Sequence, residues 1–152
     1  MLDAIDRRIL CELQAEGRLT NQELADRVGL SPSPCLRRMR RLEEVGVLTS
    51  YVALVDSTKV GLEITAFAQV SLDRHDAEHL DHFECAVAEW PEVLECYLLT
   101  GDVDYQLKIV ARGLAEYEVF LRDKLTRAPG VAKILSRLAF RPIIRRTALP
   151  LV

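Results

Sequence analysis

Four arginines, Arg37, Arg38, Arg40 and Arg41, fall within five residues of the stretch SPSPCLRRMRRLEEVG (31–46). Guanidinium groups at that density suit bidentate recognition of phosphate oxygens and of guanine edges. At about 100° per residue on an α-helix, Cys35, Leu36, Met39, Leu42 and Gly46 gather on one side. Arg37 and Arg41 point away from that seam, Arg38 and Arg40 flank them, and Ser33 and Pro34 share the outer side near the start. Ser31 is placed as the N-cap and Pro32 at the first helical position, where a missing N–H costs nothing. The pattern is an amphipathic helix with a basic outer face. Ser31, Ser33, Pro34, Arg37, Arg38 and Arg41 are therefore the candidate nucleic-acid contacts. Ser33, Pro34 and Arg37 lie nearest the end that reaches base edges, whereas Arg38 and Arg41 are placed for phosphates. The bland alternative is a helical bundle with a solvated basic face.

Other reactive side chains are sparser. His75, His79 and His82 fall within about 60° of one another on a helical wheel, beside Asp76 and Glu78. That arrangement fits a metal site or a solvated flank, and the flank is favoured because His75 precedes the helix. Cys11, Cys35, Cys85 and Cys96 are widely spaced with no C-x-x-C pair, and read as reduced, small apolar residues of a cytosolic protein. No nucleophile–base pair, phosphate loop or pair of catalytic acids has supporting context, so no enzyme, metal or cofactor is expected.

The elements that position these groups follow from periodicity. Ile5, Ile9, Leu10 and Leu13 mark a first helix ended by Glu16-Gly17. Thr20 and Glu23 form a capping-box pattern opening a second helix with Leu24 and Val28, closed by Gly29. With the basic helix, this is a helix-turn-helix arrangement. Residues 47–55 alternate with both faces half apolar, which predicts a strand pairing outside its own domain, and Asp56-Ser57-Thr58-Lys59 reads as a turn. Beyond it, strands at 64–72, 93–100, 105–112 and 131–140 and helices at 76–90 and 114–125 give the order β-α-β-β-α-β, a ferredoxin-like split βαβ sandwich. The apolar stripes are Leu80, Phe83, Val87 and Trp90 on one helix, and Tyr117, Leu121, Lys124 and Leu125 on the other. The fold class is α+β: a helix-turn-helix (winged-helix-like) domain over 1–46, a strand linker over 47–62, and a ferredoxin-like domain over 63–152.

Composition agrees. Of 152 residues 49% are hydrophobic and 28% charged, sufficient for packed cores. The net charge of −3 is uneven. Residues 1–60 carry nine basic and nine acidic groups, and residues 61–152 carry eleven and fourteen, so the arginines form a local patch in a neutral segment. No run approaches the roughly 20 apolar residues of a membrane span. MLDAIDRRIL carries charge where a signal peptide has an apolar core, so a cytoplasmic protein without a membrane partner is expected.

The strings DRRIL, LTNQELADRVGLSPSPCLRRMRRLEEVGV, YVALVD, LLTGDVDYQLKIV and PGV resemble the Lrp/AsnC group of transcription regulators over nearly the whole chain, and most strongly its leucine-responsive branch. The resemblance implies binding of double-stranded DNA, association with the nucleoid, and dimers assembling further, to an octamer. It also implies a free amino acid as effector, aliphatic or methionine, bound between subunits. It puts the responsive positions at Leu98, Asp104, Leu114, Arg137, Leu138 and Ala139, around TGDVDY (100–105). On its own that hexapeptide reads as a hairpin turn. As a binding loop, Thr100, Gly101 and Asp102 would present backbone N–H groups to an α-carboxylate where Gly101 lets a ligand approach. Asp102 or Asp104 would accept from the α-ammonium. Arg137, and Arg141-Pro142 where relatives usually carry acids, depart from the pattern beside the expected pocket. The alternatives are an architectural DNA-compacting protein without an effector, and an enzyme of ferredoxin-like fold.

Overall fold

Capping chemistry sets the first fifty residues. In a computed structural model that describes residues 2–151, helix α1 (Ala4–Ala15) begins at Asp3. The Asp3 carboxylate accepts from the Asp6 N–H at 2.8 Å, and the Asp6 carboxylate accepts from the Asp3 N–H at 3.2 Å. Helix α2 (Asn21–Val28) opens on the expected Thr20–Glu23 box and closes on Gly29, whose φ of 73° is the left-handed conformation that glycine adopts without strain. Helix α3 (Pro32–Glu44) follows Ser31, with Pro32 in its first turn, but the Ser31 hydroxyl makes no capping hydrogen bond. Ile9, Leu24, Ala25, Cys35 and Leu42 are wholly buried between the three helices, while Leu36 and Met39 are half-buried and Gly46 is exposed. All four cysteines are free, yet only Cys35 is buried. The reading as apolar filler holds for that residue alone.

The strand expected over 47–55 is not formed within the chain. Residues 47–56 carry no regular secondary structure, because a strand exists only through a ladder partner, and none pairs with them among the described residues. The turn at 56–59 is present: the Asp56 carboxylate accepts from the N–H and hydroxyl of Thr58 at 3.0 and 2.7 Å. Residues 2–54 and 143–151 form one compact unit and residues 55–142 the other. The C-terminal segment therefore packs with the helical head: Gln14 makes two hydrogen bonds to the Leu149 backbone, at 3.2 and 2.6 Å, and Leu151 packs against the head's core.

The second unit is the expected βαββαβ sandwich: β1 (Ile64–Leu72), α4 (Ala77–Ala88), β2 (Val93–Leu98), β3 (Tyr105–Ala111), α5 (Leu114–Asp123) and β4 (Val131–Leu138). The sheet order is β2-β3-β1-β4, with every neighbouring pair antiparallel. Both helices are shorter than their apolar stripes suggest. Trp90 lies past α4 and meets Phe120 edge-on at 5.5 Å, and Lys124 lies past α5 and pairs with Glu92 at 2.6 Å. Ala66, Ala68, Val70 and Leu72 of β1 turn toward Phe83, Tyr117 and Phe120 of the helices, and the alternate residues face away. That second face is mixed in character. Phe67 and Leu135 are exposed on it, Arg137 donates to Gln69 at 2.9 Å, and Lys108 pairs with Glu95 at 2.5 Å. Phe83 is fully buried and packs against Tyr105 with ring centroids 4.7 Å apart and planes tilted by 43°. Phe83→Ala should therefore cost about 3–5 kcal/mol in urea denaturation, and a loss under about 1 kcal/mol would show that α4 does not anchor the sheet.

Candidate functional site

The outer face of α3 is built from arginines of two kinds. Ser33, Arg37 and Arg40 are exposed, Pro34 is half-buried, and among the described residues Arg37 and Arg40 form no ion pair. With Ser33, Leu36, Arg41 and Glu44 they line a shallow groove along the helix. Arg38 and Arg41 are held instead. Nη1 of Arg38 donates to Asp3 at 2.6 Å and to Asp6 at 2.8 Å, and Nη2 of Arg41 donates to the other Asp6 oxygen. The Asp6 side chain is 0% exposed. Burial pushes its carboxyl upward, but the Asp3 N–H, Arg38 and Arg41 outweigh that and hold it below the usual aspartate value.

The loop between β2 and β3 is a tight hairpin. The Leu99 N–H donates to the Asp104 carbonyl at 2.7 Å, and the Asp104 N–H to the Val70 carbonyl at 3.0 Å. Gly101 has φ 119°, and nothing stands within 4 Å of where a Cβ would be, so its backbone conformation and not packing calls for glycine. Thr100, Gly101 and Asp102 are exposed at the tip. Asp104 is not. Its carboxylate accepts from the Leu72 N–H at 2.7 Å and lies 3.0 Å from Nε2 of His75, clamping the hairpin to the end of β1. The histidines are accordingly spent separately, His75 on Asp104 and His79 on Asp76 at 2.7 Å. No metal-holding group of His, Cys, Asp or Glu occurs among the described residues.

The remaining effector candidates lie elsewhere. Leu98 aligns through Tyr105 and Val70 with Ile134, at the hairpin end of the sheet. Leu138 pairs with Ala66, and the Ala139 N–H donates to the Thr65 carbonyl at 2.9 Å. Those two residues, together with Leu114 just after β3, mark the opposite end. From Leu98 to Leu138 is about 13 Å along the strands and about 14 Å across three of them. Arg137 lies on the open face against Gln69. One chain thus gathers Leu98, Thr100, Gly101, Asp102 and Asp104 at one end of the sheet and Leu114, Leu138 and Ala139 at the other.

Residues 2–49 match the winged helix-turn-helix DNA-binding model, and residues 65–149 match the Lrp/AsnC ligand binding domain. The chain belongs to the Lrp/AsnC family. It is 42% identical over 150 residues to the Bkd operon transcriptional regulator of Pseudomonas aeruginosa, covering 99% of this chain and 98% of that protein. To the leucine-responsive regulatory protein of Rhizobium meliloti it is 42% identical over 142 residues, covering 93% and 91%. Among solved structures, a transcriptional regulator of Neisseria meningitidis in complex with L-methionine is similar at a TM-score of 0.94 and 42% identity, covering 99% of this chain and 97% of that one. This Lrp/AsnC protein is a DNA-binding regulator with an amino-acid ligand-binding domain.

Asp3 and Asp6 are the candidate-site residues that sequence reasoning missed. The signal was present: two acids three residues apart, just before the first apolar-periodic residues, form a capping pair. What the pattern lacks is any mark that one acid faces inward toward another helix. Because the folded carboxyl of Asp6 titrates below the usual value, the stability it contributes is complete above the ordinary aspartate pKa of about 3.9 and is lost as pH falls beneath it. Denaturant titrations between pH 7 and pH 2.5 should show this loss in the wild-type protein and a smaller one in Asp6→Asn. Equal slopes in both proteins would contradict the assignment.

Proposed function

We propose that this regulator docks α3 in the major groove of a two-fold DNA site and senses a free leucine- or methionine-like amino acid in a pocket completed by a second copy of the chain. The separation of the two candidate half-sites within one protomer carries this reading, since only a second copy can set a hairpin against the far end of a sheet. Hairpin N–H groups around Gly101 would receive the α-carboxylate. Asp102, exposed at the tip, is better placed than the clamped Asp104 to receive the ammonium. Leu98, Leu114 and Leu138, all exposed, would cover an apolar side chain. Burying such a side chain contributes about 1.5–3 kcal/mol, so micromolar to millimolar affinity suits a sensor of metabolite pools. The relative that binds L-methionine supports that chemistry. Arg137 and Arg141-Pro142 leave a polar or acidic amino acid as the competing ligand class.

Oligomerisation through the sheet and the 47–55 segment belongs to the same proposal. Val52, Leu54 and Val55 are exposed, and apolar chain of that kind gains both burial and ladder hydrogen bonds from a partner. Two heads in one particle suit half-sites about one helical turn apart. We place the protein in the cytoplasm, on the nucleoid, acting without catalysis. No helix among the described residues is long and apolar enough to cross a membrane.

Two experiments test the proposal. Arg37→Ala should relax preference at particular bases by about 1–3 kcal/mol. Arg41→Ala should weaken binding to the selected site and flatten its salt dependence by about one phosphate contact, without changing which bases are preferred. Wild-type behaviour by both variants at two salt concentrations would overturn the docking. For the pocket, calorimetry with leucine, methionine and glutamate should detect binding that both Gly101→Val and Leu138→Asp abolish. A refolded equal mixture of the two variants should recover about a quarter of the sites, those in which the intact halves meet. Recovery of none would place the pocket within one chain, and no binding by the wild type would favour the architectural alternative.

A further inference from the structure

We propose that Asp6 is a positioning residue for DNA recognition: a buried carboxylate on α1 that aims the guanidinium groups of Arg38 and Arg41 on α3. The proposal rests on the reading that α3 docks on DNA, and it makes the DNA-binding surface a property of two helices.

The observation is a carboxylate with no exposed surface whose two oxygens are divided between two arginines one turn apart, while the Asp3 N–H and the Asp3 carboxylate complete the cluster. Burying an unpaired carboxylate is costly, and even a paired one is often replaceable by apolar residues without loss of stability. A capping role alone does not require the two guanidiniums, because Asp3 caps α1 through its own bond to the Asp6 N–H. What the buried charge does supply is direction. Among the described residues, these bonds occupy Nη1 of Arg38 and Nη2 of Arg41. The two side chains are 28% and 49% exposed, so each guanidinium stays partly open to solvent while bound to Asp6. An arginine anchored by one edge offers its other edge in a fixed plane, whereas an unanchored one follows any phosphate within reach. Arg40, which forms no ion pair among the described residues, supplies that looser attraction. The acid therefore favours binding in the one register where phosphates meet the held forks, and withdraws two arginines from sequence-independent association.

Salt-dependent binding to two DNAs separates this role from a merely structural one. The probes are a short duplex selected by the wild-type protein from a random pool, and poly(dI-dC). Asp6→Asn keeps the shape and removes the charge. It should steepen the salt dependence on poly(dI-dC) by about 0.9 for each arginine released and lower the selected-to-nonselected affinity ratio by at least about tenfold. Asp26→Asn removes the same charge from the exposed face of α2, and should move both affinities together and leave the ratio unchanged. If Asp6→Asn does not fold, as judged by circular dichroism, Asp6→Glu replaces it. That variant keeps the charge but displaces the carboxylate, so it should lose the ratio with little change in salt slope. Parallel weakening on both DNAs, a result matching Asp26→Asn, or a preserved ratio in Asp6→Glu would each overturn the proposal. A wild-type response in Arg37→Ala would instead identify the docking of α3 as the error.

Discussion

Strand order is the constraint on which the ligand-binding unit depends. With β1 and β3 central and β2 and β4 at the edges, the β2–β3 hairpin and the C-terminal end of β4 are forced to opposite ends and opposite edges of one sheet. Two helices cover one face, burying Phe83, Tyr117 and Phe120, and leave the other to Phe67, Leu135 and a set of paired polar groups. A single copy is thus left with candidate half-sites that do not meet and a second face of mixed apolar and polar character. In the proposed assembly both would be resolved by the same event, association with another copy. Ligand sensing and assembly would then be linked in the thermodynamic sense, since a ligand that binds only the assembled form shifts the assembly equilibrium.

The head shows a related economy of parts. Its core of Ile9, Leu24, Cys35 and Leu42 is small, and a buried carboxylate sits next to it where an apolar residue would pack without desolvation cost. Asp6 connects the start of α1 to two arginines on α3 and thereby couples the helix that scaffolds the domain to the helix proposed to meet DNA. The C-terminal segment adds a further tie, because Gln14 holds Leu149 at both its N–H and its carbonyl. The chain therefore passes between its two compact units twice, after residue 54 and again after residue 142.

Much of this was legible in the residues themselves. Thr20, Glu23 and Gly29 announce α2 because caps and left-handed termini are local chemistry. The strands announce themselves through alternation, and β1 begins and ends where its pattern does. Long-range pairing was less visible. Nothing local in DAID shows that Asp6 points inward, and Asp104 looks like a free ligand acid until the Leu72 N–H and His75 are found against it. Helix ends were misplaced where an apolar residue continued the stripe beyond the helix, as Trp90 does. Residues 47–55 have a strand's alternation without a partner in the chain, and residues 143–151 carry no periodicity that would assign them to the head.

Light scattering during a methionine titration tests most directly whether the site is shared between copies. At micromolar protein, the measured mass should be at least twice the 17.2 kDa of one chain, and it should change as the amino acid saturates the protein. A 17.2 kDa particle that still binds methionine would contradict it.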